Sequence, residues 1–206
     1  MLTVLVAGFG PFPGAPKNPS AELVRALVKR RRPALAGVRV VGTIIPTSYA
    51  AITGEFSDLL RRHDPDAVLM FGLASRTKYV RVERRAVNAA TSVYPDVTGA
   101  KLSTRRLIAD APVELRTLAA VERLIHAARA TGVDVHPSRD AGRYICNAAL
   151  FTSLETARRS GRPKRVAFVH IPRPRAGFRD KRPTMSSLIR AGEAALVALV
   201  ADLRRG

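Results

Sequence analysis

The sequence predicts an α/β fold, a single-domain α/β/α sandwich built around a mostly parallel, twisted sheet. Short apolar runs rich in β-branched residues alternate along the chain with longer segments of helical period, which is typical of βαβ units. The chain has 206 residues, 47% of them hydrophobic, which is enough for one sizeable core. No repeat or Ser/Gly linker divides it, so we expect one domain over residues 1–206.

The first half of the chain contains three predicted strands, two predicted helices and one extended segment. They are the strands Leu2–Ala7, Val38–Ile45 and Ala67–Phe71, the helices Ala21–Lys29 and Ser48–Arg62, and the extended segment Tyr79–Val87. Asn18 or Ser20 would cap the first helix, because short polar side chains accept hydrogen bonds from first-turn amides. The loop Thr91–Ala111 that follows is unusually long for a compact domain, so we expect it to form a wall of a site.

The second half contains three predicted helices, two predicted strands and a turn. They are the helices Val113–Thr131, Cys146–Arg159 and Thr184–Leu203, the strands Val133–Val135 and Val166–Ile171, and the turn Pro137–Gly142. Ligands of such folds bind at the carboxyl ends of the parallel strands. We therefore expect a site near Gly8–Pro13, Gly72–Ser75 and His170.

The chain is strongly basic, with 35 Lys and Arg against 16 Asp and Glu and a net charge of +19. Such a charge favours polyanion partners in general. The arginines are spread along the chain, however, and few aromatic residues lie between them to stack on bases. We interpret the charge as a solvated surface and do not expect nucleic acid as a partner. A nonenzymatic polyanion-binding protein on the same scaffold is the alternative, and salt-dependent binding would reveal it.

Several features bear on location and cofactors. No apolar run approaches the roughly 18 residues that cross a bilayer, and the apolar N-terminus lacks a basic segment. The single cysteine excludes an internal disulfide. We therefore expect a cytoplasmic protein with a free thiol and no membrane partner. We also expect no metal and no cofactor, because the histidines are scattered and Gly8-Phe9-Gly10 lacks the third glycine of a dinucleotide motif.

Three residues are candidates for chemistry. Cys146 follows a turn at the start of a predicted helix, where the helix dipole would favour a thiolate; the alternative is a small buried hydrophobe. His170 ends an apolar strand and could be the base that such a nucleophile needs, or a hydrogen-bonded strand cap. Glu83 could orient that base, or form an ordinary salt bridge with the arginines around it.

Five segments resemble those of the pyroglutamyl peptidase I (pyrrolidone-carboxylate peptidase) family, in order and in spacing. They are Gly8-Phe9-Gly10-Pro11-Phe12 with Asn18-Pro19-Ser20, Gly72-Leu73-Ala74, Glu83-Arg84-Arg85-Ala86-Val87-Asn88, Asp140-Ala141-Gly142-Arg143-Tyr144-Ile145-Cys146-Asn147 and Phe168-Val169-His170-Ile171-Pro172. The resemblance spans nearly the whole chain. It implies a cysteine omega-peptidase that removes N-terminal pyroglutamate (5-oxoproline) from peptides through an acyl-enzyme, and a homodimer or homotetramer.

The resemblance also implies roles for individual residues. Cys146, His170 and Glu83 would be the nucleophile, the general base and acid, and the orienting carboxylate. The substrate-binding residues would include two aromatic side chains that hold the lactam ring, unless these belong to the core, and an asparagine that supports their loop. The implied set is Phe9, Phe12, Asn18, Gly72, Leu73, Tyr144 and Ile145.

The chain departs from the family in two places. Where the family typically has Arg-Ile-Pro-Asp-Asn, this chain has Val93-Tyr94-Pro95-Asp96-Val97, and Arg173 stands where tyrosine is usual. The missing arginine leaves oxyanion stabilisation to the amides near Cys146 or to Arg76, Arg143 or Arg173. The departures also leave open a cysteine amidase of altered specificity.

Overall fold

Eight strands and six α-helices alternate along the part of the chain that the computed structural model describes, residues 1–102 and 104–205. Ser103, in the predicted long loop, and Gly206 lie outside the described residues. The strands are β1 Leu2–Phe9, β2 Val38–Ile45, β3 Ala67–Leu73, β4 Val80–Glu83, β5 Arg85–Val87, β6 Glu114–Arg116, β7 Val135–Ser138 and β8 Arg165–Ile171. The helices are α1 Pro19–Val28, α2 Tyr49–Ala51, α3 Ser57–His63, α4 Val121–Arg129, α5 Ile145–Ser160 and α6 Met185–Leu203.

The central sheet has six strands in the order β2-β1-β3-β8-β4-β7. Neighbouring strands pair in parallel except β4 and β8, which run antiparallel. A π-helical segment, Ile52–Phe56, joins α2 to α3, so residues 49–63 form one continuous helical stretch. Because β1, β2, β3 and β8 run parallel to one another, their carboxyl ends meet at one edge of the sheet.

Both faces of the sheet are covered by helices, and the alternation of side chains along β1 shows it. Val4 and Val6 join a core cluster beneath α1, α4 and α6, whereas Leu5, Ala7 and Phe9 join a second cluster beneath α3 and α5. The predicted α/β class with a mostly parallel sheet is confirmed. No helix among the described residues is long and apolar enough to cross a membrane.

The prediction of a helix over Val113–Thr131 is wrong in its first half. Glu114–Arg116 forms β6, which pairs antiparallel with β5 in a small separate sheet, and α4 begins only at Val121. Leu115 lies opposite Ala86 and packs against the second core cluster. Tertiary burial of this leucine thus overrides the local helical pattern.

Three further predictions near the sheet edge need correction. The extended segment Tyr79–Val87 is divided at Arg84, whose amide donates to Ser138 O and whose carbonyl accepts from Thr117 N. The predicted turn Pro137–Gly142 begins with strand residues, because β7 runs to Ser138 and pairs in parallel with β4. The predicted strand Val133–Val135 is therefore displaced to Val135–Ser138, because the pairing with β4, which no local pattern encodes, begins only at Val135.

The junction of β1 and α1 is held by close backbone packing. Asn18 caps α1 by accepting from Ser20 N, and Ser20 Oγ accepts from Phe9 N at 3.0 Å. A Cβ on Gly8 would lie 2.7 Å from Ser20 O, a backbone atom with no freedom to move aside. A glycine at position 8 is therefore required for β1 and α1 to approach this closely.

Gly8→Ala should lower the free energy of unfolding by about 1–3 kcal/mol, because the added methyl overpacks a backbone contact. Gly54→Ala is the matched control: a Cβ there meets nothing within 4 Å, so the variant should be neutral or up to about 1 kcal/mol more stable. Urea unfolding measures both. Equal effects of the two substitutions would contradict the close packing at Gly8.

Candidate active site

A cavity of about 430 Å³ opens where the carboxyl ends of the parallel strands meet. The loop after β1 lines it with Phe9, Phe12 and Asn18, and residues 73–77 line it after β3. Residues 140–142, Tyr144 and Cys146, at the entry to α5, form another side, and Arg81 and His170 complete it. The three segments that the sequence predicted to meet at this edge, after β1, β3 and β8, thus do so.

His170 and Glu83 form a buried hydrogen-bonded pair. The His170 Nδ1 atom lies 2.8 Å from Glu83 Oε1, the histidine is 4% exposed, and the glutamate is fully buried. With the carboxylate ionised, Nδ1 carries the proton and Nε2 is left as the basic nitrogen. The antiparallel pairing of β4 with β8 creates this contact, because it places Arg81 opposite His170 and Val82 opposite Val169.

Cys146 is the second residue of α5, and its sulfur lies against β3. A Cβ on Gly72 would come within 2.8 Å of Cys146 Sγ and 2.7 Å of the Phe168 ring. Gly72 pairs with His170 in the parallel register of β3 and β8. The absence of a side chain at position 72 therefore leaves room for the sulfur next to the histidine strand.

The environment of Cys146 differs from the expected one. Burial and, to a smaller extent, the charge of Glu83 raise the pKa of the thiol to about 12, although Arg81 and the Cys146 amide act to lower it. The first-turn amide does favour the thiolate, as expected, but desolvation opposes it more strongly. Burial of the sulfur thus favours the neutral thiol over the thiolate.

The aromatic residues of the β1 loop divide between the core and the cavity. Phe9 is 1% exposed, with its ring centroid 6.0 Å from that of Phe168, so it supports the core as well as bordering the cavity. Phe12 is half-buried, and its backbone bonds to Ala15 close the loop. The Asn18 amide donates to Gly10 O at 2.9 Å and so holds the loop in shape.

Tyr144 and Ile145 point in different directions. Tyr144 borders the cavity and its hydroxyl donates to Pro95 O at 2.9 Å. Ile145 is fully buried in the second core cluster and does not line the cavity. Its expected substrate-binding position is therefore wrong, because consecutive residues at a helix start face different sides.

The long loop after β5 supports the cavity from outside. None of its described residues lines the cavity, and Val93 is 66% exposed, so the expected wall is not formed by this loop. Asp96 anchors it by accepting from Tyr49 N and from the Thr98 and Ala100 amides. The loop contributes through Pro95 and its hydrogen bond with Tyr144.

Of the three arginines considered as replacements for the missing one, a single one reaches the cavity. Arg76 borders it, whereas the Arg173 guanidinium donates to Gly14 O and Arg143 is not among the lining residues. Arg81 also lines it, with its Nε atom 3.6 Å from Glu83 Oε1. Arg81 and Glu83 are two residues apart on β4, so their side chains share a face of the strand. This spacing was the signal in the sequence that Arg81 would also reach the cavity.

Comparison with known proteins bears on this constellation of thiol, histidine and carboxylate. The family model described as "Pyroglutamyl peptidase" matches residues 2–202. The chain belongs to the pyroglutamyl peptidase family. The pyrrolidone-carboxylate peptidase of Thermococcus kodakarensis is 33% identical, over 99% of this chain and 98% of that protein. A second relative, pyrrolidone-carboxylate peptidase 1 of Ralstonia nicotianae, is 31% identical over 84% of this chain and 79% of that protein.

Solved structures with the same fold include other members of the family. The pyrrolidone carboxyl peptidase of Thermococcus litoralis superimposes with a TM-score of 0.89 at 27% identity, over all of this chain and 96% of that chain. A variant of the Pyrococcus furiosus enzyme also gives a TM-score of 0.89, at 25% identity, over 98% and 100% of the two chains. The resemblance noted in the motifs is thus confirmed for sequence and fold.

Thr47 and Gly142 line the cavity although neither belongs to the substrate-binding set that the resemblance implied. Thr47 follows β2 and donates from its hydroxyl to Gly10 O at 3.1 Å, the same carbonyl that Asn18 binds. Gly142 adopts φ +79° before α5, and its amide donates to Asp140 Oδ1. The parallel pairing of β1 with β2 was the signal for Thr47, because their carboxyl ends meet at the same edge.

Phe9→Ala should lower the free energy of unfolding by about 3–5 kcal/mol, because it removes a fully packed ring from the core. Phe12→Ala, in the half-buried loop, should cost less than about 1.5 kcal/mol. Chemical denaturation of the two variants measures the difference. Similar losses in both would contradict the division between core and cavity.

Alkylation of Cys146 by iodoacetamide should be slow near neutral pH and should accelerate about tenfold per pH unit, because only the thiolate reacts. Folded-state burial favours the neutral thiol, so the thiolate fraction grows as pH rises toward the thiol pKa of about 12. Cys146 is the only cysteine, so mass spectrometry counts the reaction directly. A rate that is already maximal at neutral pH would instead indicate a preformed thiolate.

Proposed function

We propose that this chain is a cysteine peptidase that hydrolyses the N-terminal pyroglutamyl residue from peptides. Cys146 is the nucleophile, His170 the general base and acid, and Glu83 the orienting carboxylate. The observation that carries the proposal is the 2.8 Å hydrogen bond between Glu83 and His170 beside the Cys146 thiol in one cavity, in a member of this family. Glu83 fixes the tautomer of His170 and stabilises the imidazolium that forms on proton transfer.

The first half of the reaction forms the acyl-enzyme. His170 Nε2 takes the proton of the Cys146 thiol as the sulfur attacks the carbonyl carbon of the scissile amide bond, which joins pyroglutamate to the next residue. The electron pair of the carbonyl moves to its oxygen. When the pair returns, the carbon–nitrogen bond breaks and the His170 imidazolium gives its proton to the leaving amine. The raised pKa of the thiol suits this course, because the proton leaves as the bond forms.

The second half releases 5-oxoproline. Water replaces the departed amine, and His170 takes one of its protons as the oxygen attacks the thioester carbon. Collapse of this intermediate breaks the carbon–sulfur bond, and the proton returns from His170 to the sulfur. In each half, His170 Nε2 first accepts a proton and then donates it, while Nδ1 stays hydrogen-bonded to Glu83.

The start of α5 supplies donors for the oxyanion. The first intrahelical bond runs from Ala148 N to Tyr144 O, so the amides of Ile145, Cys146 and Asn147 have no acceptor within the helix. Such amides near the attacking sulfur stabilise negative charge on the substrate oxygen. Since Val93 lies outside the cavity, these amides take the place of the arginine that the family typically has at that position.

The cavity suits a small, flat and uncharged group. Phe9, Phe12, Leu73 and Tyr144 provide apolar walls, and a lactam ring carries no free α-amine that would need a carboxylate partner. We place the ring against Phe12 at the β1 loop. We further propose a cytoplasmic location, which would keep the one thiol reduced. Assembly into a homodimer or homotetramer stays a prediction from the resemblance.

Cys146→Ala should abolish release of a fluorogenic amine from a pyroglutamyl amide, because no acyl-enzyme can form. His170→Gln should lower kcat about 10,000-fold or more, and Glu83→Gln by about 100-fold to 10,000-fold, since an orienting group contributes less than a base. Steady-state kinetics measure all three. Pyroglutamyl hydrolysis by Cys146→Ala would refute the proposed mechanism.

A control in the same assay separates this function from polyanion binding. Turnover of the neutral pyroglutamyl amide should change little between low and moderate salt, whereas binding to a polyanion weakens steeply. An alanyl amide serves as the matched substrate for specificity. Faster cleavage of the alanyl substrate would point to an amidase of altered specificity.

A further inference from the structure

Arg81 lies in the catalytic cavity, although its sequence position marks it only as a neighbour of Glu83. It pairs with His170 across β4 and β8, and Glu83, two residues further on, shares its face of the strand. The Arg81 side chain is 25% exposed, and its Nε atom lies 3.6 Å from Glu83 Oε1. Arg81, Glu83 and His170 are therefore contiguous at the site.

Glu83 has fewer partners than a buried carboxylate requires. Its Oε1 atom meets His170 Nδ1, whereas its Oε2 atom is buried and has no hydrogen-bond partner among the described residues. A buried anion is stable only beside a compensating charge. Within 4.0 Å of this carboxylate, the described part of the chain places one permanent cation, Arg81.

The contact between Arg81 and Glu83 differs from the other buried acid–arginine contacts of the chain. Glu155 and Glu193 each accept hydrogen bonds from arginine at 2.5 Å, and Asp202 accepts them at 2.9 Å. At 3.6 Å, Arg81 makes no hydrogen bond to Glu83, and its buried Nε atom has no partner among the described residues. Its positive charge thus acts on the cavity without being tied to the carboxylate.

We infer that Arg81 is a positioning residue for the reaction, whose charge compensates Glu83 and stabilises the Cys146 thiolate that forms with the His170 imidazolium. This inference rests on the proposed function. Before proton transfer, the charges of Arg81 and Glu83 cancel, and afterwards the thiolate and the imidazolium cancel as well. Without Arg81 the thiolate forms beside an uncompensated carboxylate, and like charges at close range disfavour it.

The direction of the electrostatic effects on the thiol agrees with this geometry. Glu83 raises the pKa of Cys146 and Arg81 lowers it, beneath the larger effect of burial. Removing the guanidinium should therefore make the thiolate rarer at any pH below the thiol pKa. Negative charge develops on the Cys146 sulfur as its proton moves to His170, so the chemical step slows while binding of the uncharged lactam ring does not change.

The test compares Arg81→Gln with Arg81→Lys and with Arg84→Gln. Arg84 is the matched control: it lies on the same stretch of chain, pairs with Glu122 on the surface, and is not among the residues that line the cavity. The readouts are the second-order rate of Cys146 alkylation by iodoacetamide at about pH 8, kcat and KM on a pyroglutamyl amide, and thermal unfolding.

Arg81→Gln should react with iodoacetamide about tenfold more slowly and lose about tenfold or more in kcat, with KM unchanged, because one pKa unit is tenfold in thiolate. Arg81→Lys should recover most of both rates, since it keeps the charge. Arg84→Gln should match the native chain. If Arg81→Gln does not fold, the alkylation rate of Arg81→Lys decides: a rate within about threefold of the native chain supports the inference.

Unchanged alkylation and kcat in folded Arg81→Gln would overturn the inference, as would a tenfold loss in folded Arg81→Lys. Either result leaves the proposed function standing as long as Cys146→Ala is inactive. Full activity of Cys146→Ala would instead refute the proposed function itself. The alkylation rate does not depend on turnover, so the two failures are distinguishable.

Discussion

The hydrogen bond between Glu83 and His170 is the interaction on which the site depends. It exists because β4 runs antiparallel to β8 in a sheet whose other neighbouring strands are parallel, so an acidic residue from one strand meets a histidine from the next. A glutamate on a parallel strand in that position would lie in a different register. The one antiparallel pair therefore sets the tautomer of the histidine: Nδ1 carries the proton, and Nε2 can accept one.

The same burial that strengthens this hydrogen bond opposes ionisation of Cys146, the proposed nucleophile. A low-dielectric site increases the attraction between Glu83 and an imidazolium, but it also disfavours an isolated thiolate at Cys146. The two effects are reconciled when proton transfer and attack occur together, because the thiolate then forms beside the cation that it needs. A cysteine at a helix start is consequently no guarantee of a reactive resting thiolate; the depth of the sulfur decides.

Local patterns predicted the parts of the fold that local chemistry determines. The bounds of β2 agree with the prediction at Val38 and Ile45, and α6, predicted over Thr184–Leu203, spans Met185–Leu203 with Thr184 as its cap. The failures lie where distant segments pair: β6 forms where the partly buried Leu115 packs against the second core cluster, and β7 begins two residues later than predicted, where its pairing with β4 begins. Likewise, motif resemblance indicated the triad residues, whereas it placed Ile145 at the cavity because a linear motif does not show which way a side chain turns.

Some arginines of this chain bind buried acidic side chains, in addition to contributing to the surface charge. Glu155, Glu193 and Asp202 are all buried and all receive arginine hydrogen bonds, and the arginines lower the pKa of Glu155 to about 2. At Glu83 the shortest contact belongs to a histidine, so the arginine is displaced to a longer distance. The acid to which we assign a role in the reaction is thus the one that accepts no hydrogen bond from its neighbouring arginine. A tight bidentate arginine at Glu83 would compete for the oxygen that orients His170, and a site with no arginine would leave the carboxylate uncompensated. A guanidinium at a longer distance meets both requirements, because it compensates the charge of Glu83 and does not compete with His170 for the hydrogen bond to the carboxylate.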